Sequence, residues 1–148
     1  MTDHPTIATQ LLCLLRKLRQ VGPGQPPFEE VGLSSAQLAL LEWVSAEPGC
    51  RLQDLADGLA LTPPTVSVGV RKLEEAALLR RHPNPDDGRA WQFELTEAGT
   101  ALLDRVQRYR CDKVQRLLAG LTVEEQQTLV ALLERALKPV GDGTSTGD

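Results

Sequence analysis

The 148-residue chain contains no run of about 18 apolar residues, which argues against a membrane-spanning helix. Its first ten residues lack a basic segment followed by a long apolar stretch. No secretory signal is therefore expected, and a cytoplasmic location follows by default. There are two histidines, His4 and His82, too isolated to make a metal pair. There are three cysteines, Cys13, Cys50 and Cys111, and their separation matches no metal-ligand spacing. An odd count also argues against a secreted disulfide framework. No Ser/His/Asp set and no glycine-rich phosphate loop is visible, so the reading is not an enzyme, and no cofactor or metal is expected. Excess positive charge is missing too: the net charge of −4 is not that of a nonspecific nucleic-acid binder.

What is present is a 41% hydrophobic chain, enough for one compact domain or a small core with appended helices. Its most informative stretch runs from Leu52 to Thr96. Leu52, Leu55, Ala56 and Leu59 fall at helical spacing, with Gly58 weakening the end of that helix. Thr62 is expected to cap the next helix through its side-chain oxygen, and Pro63 suits the first helical position, where an N–H is not needed. Val66, Val70, Leu73 and Ala77 continue as an apolar stripe. Thr65, Ser67, Arg71, Lys72 and Glu75 take the opposite face. A strand over Leu79–His82, a turn cluster from Pro83 to Gly88, and an alternating Trp91–Leu95 strand complete a hairpin. Helix, turn, helix and hairpin in that order predict a winged helix-turn-helix, whose dominant use is to lay one helix in the DNA major groove.

The flanking segments are helical as well. Pro5–Gln20 carries Ile7, Leu11, Leu14, Leu15 and Leu18 on one face, and Gly22–Pro27 breaks it. Phe28–Leu33 reads as a connector. Ser34 with Gln37 forms a capping box for a helix holding Leu38, Leu41, Trp43 and Val44, which ends at Glu47-Pro48-Gly49. A long helix follows the wing, from Thr96 to about Ala119. Thr122 with Glu125 opens another, which runs through Leu137 to a stop at Pro139. The first helix and the last two carry more apolar surface than such a head requires, which predicts a homodimer with two recognition helices about one DNA turn apart.

On these residues the chain resembles the MarR family of transcription regulators. The resemblance is carried by Ser34-Ser35-Ala36-Gln37-Leu38-Ala39-Leu40-Leu41, by Leu52–Leu59, by Val70-Arg71-Lys72-Leu73-Glu74, by Asp87-Gly88-Arg89-Ala90 and by Leu95-Thr96-Glu97-Ala98-Gly99. It implies a mainly α fold with a small β-hairpin wing, and a single MarR-like domain over 1–138. Within that domain 1–33 and 97–138 would be dimerisation helices and 34–96 the winged head, with a disordered tail over 139–148. It implies a repressor of palindromic operators, relieved by a small anionic or phenolic ligand, with double-stranded DNA, a second copy and a small-molecule effector as partners. Two alternatives stay open: a thiol-based peroxide sensor using Cys13, and a winged-helix protein-interaction module that does not bind DNA tightly. The wing departs from the family pattern at Gly88, where a second basic residue is usual.

The DNA-contact candidates are Thr62, Thr65, Ser67, Arg71, Lys72, Arg80 and Arg89. Arg89 either enters a minor groove or pairs with Asp87, the candidate wing brace. Arg71 and Lys72 either touch DNA or form a solvated face, and Thr65 and Ser67 either contact DNA or bond locally. Arg71, Lys72, Arg80, Arg81 and Arg89 are able to share one face. This matters because Arg51–Leu95 holds six basic against seven acidic side chains. Cys13 is the redox candidate, with Arg16 and Lys17 one turn on, set against a buried structural cysteine. Trp43, Phe28, Trp91 and Phe93 either line a ligand pocket or pack, with Trp91 and Phe93 expected to hold the wing on the helices. Arg105, Arg108, Arg110, Lys113 and Arg116 either form a solvated face or attract an anionic ligand.

Overall fold

The computed structural model describes residues 6–138 apart from Pro23, Asp87 and Arg89. The elements are α1 (Ile7–Gln20), α2 (Pro27–Glu30), α3 (Ser35–Ala46), α4 (Leu52–Leu59), α5 (Pro63–Glu75), β1 (Leu79–Pro83), β2 (Trp91–Leu95), α6 (Glu97–Leu118) and α7 (Val123–Leu137). The mainly helical class with one hairpin is thus observed. Among the described residues no helix is long and apolar enough to cross a membrane.

The chain forms two compact units. The first runs from Pro23 to Cys111, and the second joins α1 to the rest of α6 and to α7. In the first unit Leu38, Leu41 and Val44 of α3 meet Leu55 and Ala56 of α4. They also meet Val66, Val70 and Leu73 of α5, Leu79 and Phe93 of the hairpin, and Leu102 and Val106 of α6. Deep burial of these side chains removes apolar surface from water and is the main term holding the head together. Two glycines set how close the helices come. A methyl built on Gly69 of α5 would overlap the Leu40 side chain of α3, and one built on Gly58 of α4 would overlap the Trp43 ring. Gly58 is therefore a packing surface for the indole as well as a weak point of its helix.

The hairpin is antiparallel, with Leu79 opposite Leu95, Arg81 opposite Phe93 and Pro83 opposite Trp91. Cys50 adds a bridge to Phe93, whose N–H donates to the Cys50 carbonyl at 2.9 Å, so the segment before α4 forms a short third edge of the sheet. Asn84 closes the wing turn: its N–H donates to the Ala90 carbonyl, and its Oδ1 accepts from the Asp86 amide at 2.9 Å.

Several local expectations are corrected. Residues 27–30 form the short α2, with Pro27 in its first turn, where a connector was expected. Thr62 occupies the cap position of α5 but makes no cap bond to a backbone N–H. Its Oγ1 lies 2.8 Å from Thr65 Oγ1, so the two hydroxyls satisfy each other. Ala77 leaves the apolar stripe: α5 ends at Glu75, and Ala77 is exposed at φ 59°. Of the two wing aromatics only Phe93 is buried, while Trp91 is 47% exposed. Cys13 is exposed rather than buried.

In the second unit, threonines cap two helices. Thr6 accepts from the Thr9 amide at α1, and Thr122 and Glu125 form the expected capping box at α7. Gln126 Nε2 donates to the Leu118 and Leu121 carbonyls, which ties the turn between α6 and α7. Neither α1 nor α7 has a buried residue. Leu11, Leu14 and Leu15 of α1 and Val130, Leu133 and Leu137 of α7 are all exposed. Pro139 and the tail from residue 140 lie outside the described residues.

Candidate nucleic-acid interface

Helix α5 is anchored by Val66, Val70 and Leu73, each fully buried. That anchoring fixes which side chains face out. Thr65, Arg71 and Lys72 are exposed and Ser67 is half-buried. Neither Arg71 nor Lys72 has a side-chain partner among the described residues. Val68 stands among them, three residues from Thr65 and Arg71 and four from Lys72, and is 59% exposed. An apolar side chain held in water at the middle of a polar face was missed by the sequence reading. Its signal was available, since residue 68 lies off the Val66–Val70–Leu73 stripe.

The wing cations behave differently. Strand alternation sends Arg80 and Arg81 to opposite faces of the hairpin, so the five cations do not share one face. Arg80 pairs with its cross-strand neighbour Glu94, and His82 Nε2 lies 3.6 Å from the other oxygen of the same carboxylate. Arg80 remains 65% exposed despite this bond. Arg81 turns inward, where its guanidinium makes a bidentate pair with Glu74 of α5. It also lies over the Trp91 and Phe93 rings at 5.6 and 5.5 Å. The hydrogen bond to Glu74 raises its pKa further, so Arg81 is a permanently charged strut between α5 and the wing. Asp87 and Arg89 lie outside the described residues.

The other candidates are also placed. Cys50 is buried behind the sheet edge. Burial, with the nearby Asp54 charge adding to it, pushes its thiol up to about 11, so it stays protonated at neutral pH. Trp43 borders a groove of about 600 Å³ whose other walls include Glu47, Asp54 and Asp57 and no cationic side chain, a lining that opposes an anionic ligand. On α6, Arg105 pairs with Glu30 at 3.0 Å and Arg110 with Glu42 at 2.6 Å, which neutralises two of its five cations. Lys113 Nζ donates to the Arg19 carbonyl. Among the described residues no cluster of His, Cys, Asp or Glu is arranged to hold a metal ion.

A sequence profile of the MarR family matches residues 31–90, which span α3 to the wing. The HTH-type transcriptional repressor Rv2887 of Mycobacterium tuberculosis is 30% identical over 105 residues, covering 71% of this chain and 76% of the repressor. The chain belongs to the MarR family. It is a winged-helix, DNA-binding transcriptional regulator, and its relatives are regulators rather than enzymes. Two solved MarR-type structures are similar throughout. A single-residue variant of MepR from S. aureus, bound to an oligodeoxyribonucleotide, is 25% identical with a TM-score of 0.71, covering 89% of this chain and 96% of that one. PcaV from Streptomyces coelicolor, in complex with its natural ligand, is 25% identical with a TM-score of 0.54, covering 91% of this chain and 92% of that one.

Proposed function

We propose that this MarR-family regulator is a homodimeric repressor that reads a palindromic operator with α5 and flanks it with the wing, and that a small phenolic or other anionic ligand releases it. The observation that carries the DNA reading is the outward face of α5. Arg71 and Lys72 have no side-chain partner among the described residues, Thr65 and Ser67 lie one to two turns nearer the helix start, and Val68 is exposed between them. In this reading Arg71 and Lys72 contact phosphate or a guanine edge. Thr62, Thr65 and Ser67 approach backbone or base edges, and Val68 packs on a thymine methyl. Arg80 and Arg89 supply the wing contacts, with Asp87 bracing Arg89. The exposed apolar faces of α1 and α7 support the dimer, since isolated monomers rarely leave such surfaces in water. The MepR complex with an oligonucleotide supports the DNA partner, and PcaV with its ligand supports an effector.

The test is selection of the purified protein on a random duplex library at physiological salt. Enrichment of a palindrome with half-sites about one helical turn apart supports the reading. No enrichment, even at low salt, rejects it in favour of a protein-binding winged helix. The exposure of Cys13 favours one second reading, a thiol-based peroxide sensor. It requires DNA binding to be lost on peroxide treatment, restored by dithiothreitol, and insensitive to both in a Cys13→Ser variant.

A further inference from the structure

The start of α4 and the wing enclose a groove of about 300 Å³ that no sequence motif announces. Its floor is apolar, formed by Leu52 and Phe93. Its rim carries Arg51, Gln53, Arg81 and Trp91. Although the head as a whole holds more acidic than basic side chains, no carboxylate among the described residues lines this groove. Arg51 is exposed, and its side chain has no partner among the described residues. The Arg51 amide, by contrast, is already taken, since it donates to Asp54 Oδ2 at 2.9 Å. Trp91 is 47% exposed although it shares the inward face of the hairpin with Phe93. The Arg81 guanidinium lies over the Trp91 ring, 5.6 Å from its centroid, and is itself held by Glu74 of the recognition helix. An arginine without a side-chain partner among the described residues, the Gln53 amide, whose Nε2 already gives one of its two hydrogens to Asp57 Oδ1 at 2.8 Å, and the Trp91 indole thus surround a small apolar-floored space.

We propose that this groove seats one phosphodiester of the bound DNA, with Arg51 and Gln53 on the phosphate oxygens and the Trp91 ring against the adjoining deoxyribose. The inference rests on the DNA-binding reading above and adds a backbone clamp outside α5 and the wing tip. Duplex DNA is the occupant that the charge argues for. Its phosphates are anionic and accept from guanidinium, amide and indole N–H donors alike, and the groove offers the Arg51 guanidinium, the second Nε2 hydrogen of Gln53 and the Trp91 indole. A contact of this kind sets register on the duplex without reading bases.

The test is a salt series of duplex binding by fluorescence anisotropy, comparing wild type, Arg51→Gln and Trp91→Ala. Loss of one phosphate contact should shrink the slope of log affinity against log salt by about 1 in Arg51→Gln. Affinity should drop by about 5- to 10-fold, equally for the selected operator and for unrelated duplex. In a Trp43→Phe background Trp91 is the sole tryptophan, and its emission should change on DNA addition. An Arg51→Gln slope and affinity equal to wild type, with unchanged Trp91 emission, overturns the clamp while leaving the DNA reading intact. Absence of any wild-type binding to duplex overturns both. Quenching of Trp91 by sodium benzoate alone, with DNA leaving emission unaffected, would assign the groove to a small anion and overturn the clamp as well.

Discussion

Gly99 lies in the first turn of α6, and its replacement by alanine separates local propensity from tertiary packing. In an open helix Gly→Ala gains about 1 kcal/mol, because alanine restricts the unfolded chain and suits the helix. Here the added methyl would overlap the Leu78 carbonyl oxygen, which is backbone and has no rotamer to escape into. That carbonyl also accepts from the Thr96 amide at 3.1 Å. Thr96 is the hinge of the junction: its hydroxyl donates to the Ala77 carbonyl at 2.6 Å and accepts from the Gly99 amide at 3.1 Å. Moving α6 away from Leu78 strains these bonds together. Overpacking costs about 1–3 kcal/mol, and each weakened hydrogen bond costs up to about 1 kcal/mol. Set against the propensity gain, Gly99→Ala should lose about 1–3 kcal/mol. Urea unfolding at fixed protein concentration measures this, and the midpoint should fall by roughly 0.5–1.5 M for a protein of this size. Gly120→Ala is the control, since the nearest atom to its added methyl is the Leu117 carbonyl oxygen at 3.9 Å. A midpoint for Gly99→Ala at or above wild type would refute the argument that the α6 start is set by close backbone approach.

Glu94→Gln removes the carboxylate that holds Arg80, and DNA affinity should rise by about 3- to 10-fold with a salt slope steeper by about 1; a fall in affinity would mean that the pair shapes the wing instead. Deletion of residues 122–148 should convert a dimer to a monomer or an insoluble chain in sedimentation experiments, and a stable dimer would move the interface elsewhere. Ala60 caps α4 at φ 53°, so Ala60→Gly should raise stability by about 0.5–1 kcal/mol in the same urea assay, by relieving left-handed strain. Cys50 has a folded pKa above its ordinary value, so the folded state holds its proton more tightly than the unfolded chain does. Its stabilising contribution is complete below pH 9.0 and is lost as pH rises towards about 11. Iodoacetamide at about pH 8 should accordingly spare Cys50 in the folded protein and label it after unfolding, as read by mass spectrometry.

Much of the fold was legible because its signals are local and repeat. The capping boxes at Ser34–Gln37 and Thr122–Glu125 join groups three residues apart, and both form as read. The Val66–Val70–Leu73 stripe selects the buried face of α5, and the Trp91–Leu95 alternation marks a strand. Thr62 shows the limit of such reading. Two hydroxyls, at 62 and 65, compete for the same partners, and the one-residue preference for capping does not say which bond wins.

The cations of the head show where sequence stops. Counting them gave a slightly acidic segment and left five basic side chains as candidates for one surface. The chain order by itself determined the helix-turn-helix, the hairpin and the polar face of α5, because each depends on periodicities of about 3.6 or 2 residues within one element. Only the tertiary structure decided which charges are available. Glu94 reaches Arg80 across a strand register, and Glu74 reaches Arg81 from the recognition helix, while Arg71, Lys72 and Arg51 have no side-chain partner among the described residues. The physical reason is that a charge is neutralised only by a partner within a few ångströms. Those distances are set by strand register for Arg80 and Glu94, and by the packing of α5 against the hairpin for Arg81 and Glu74.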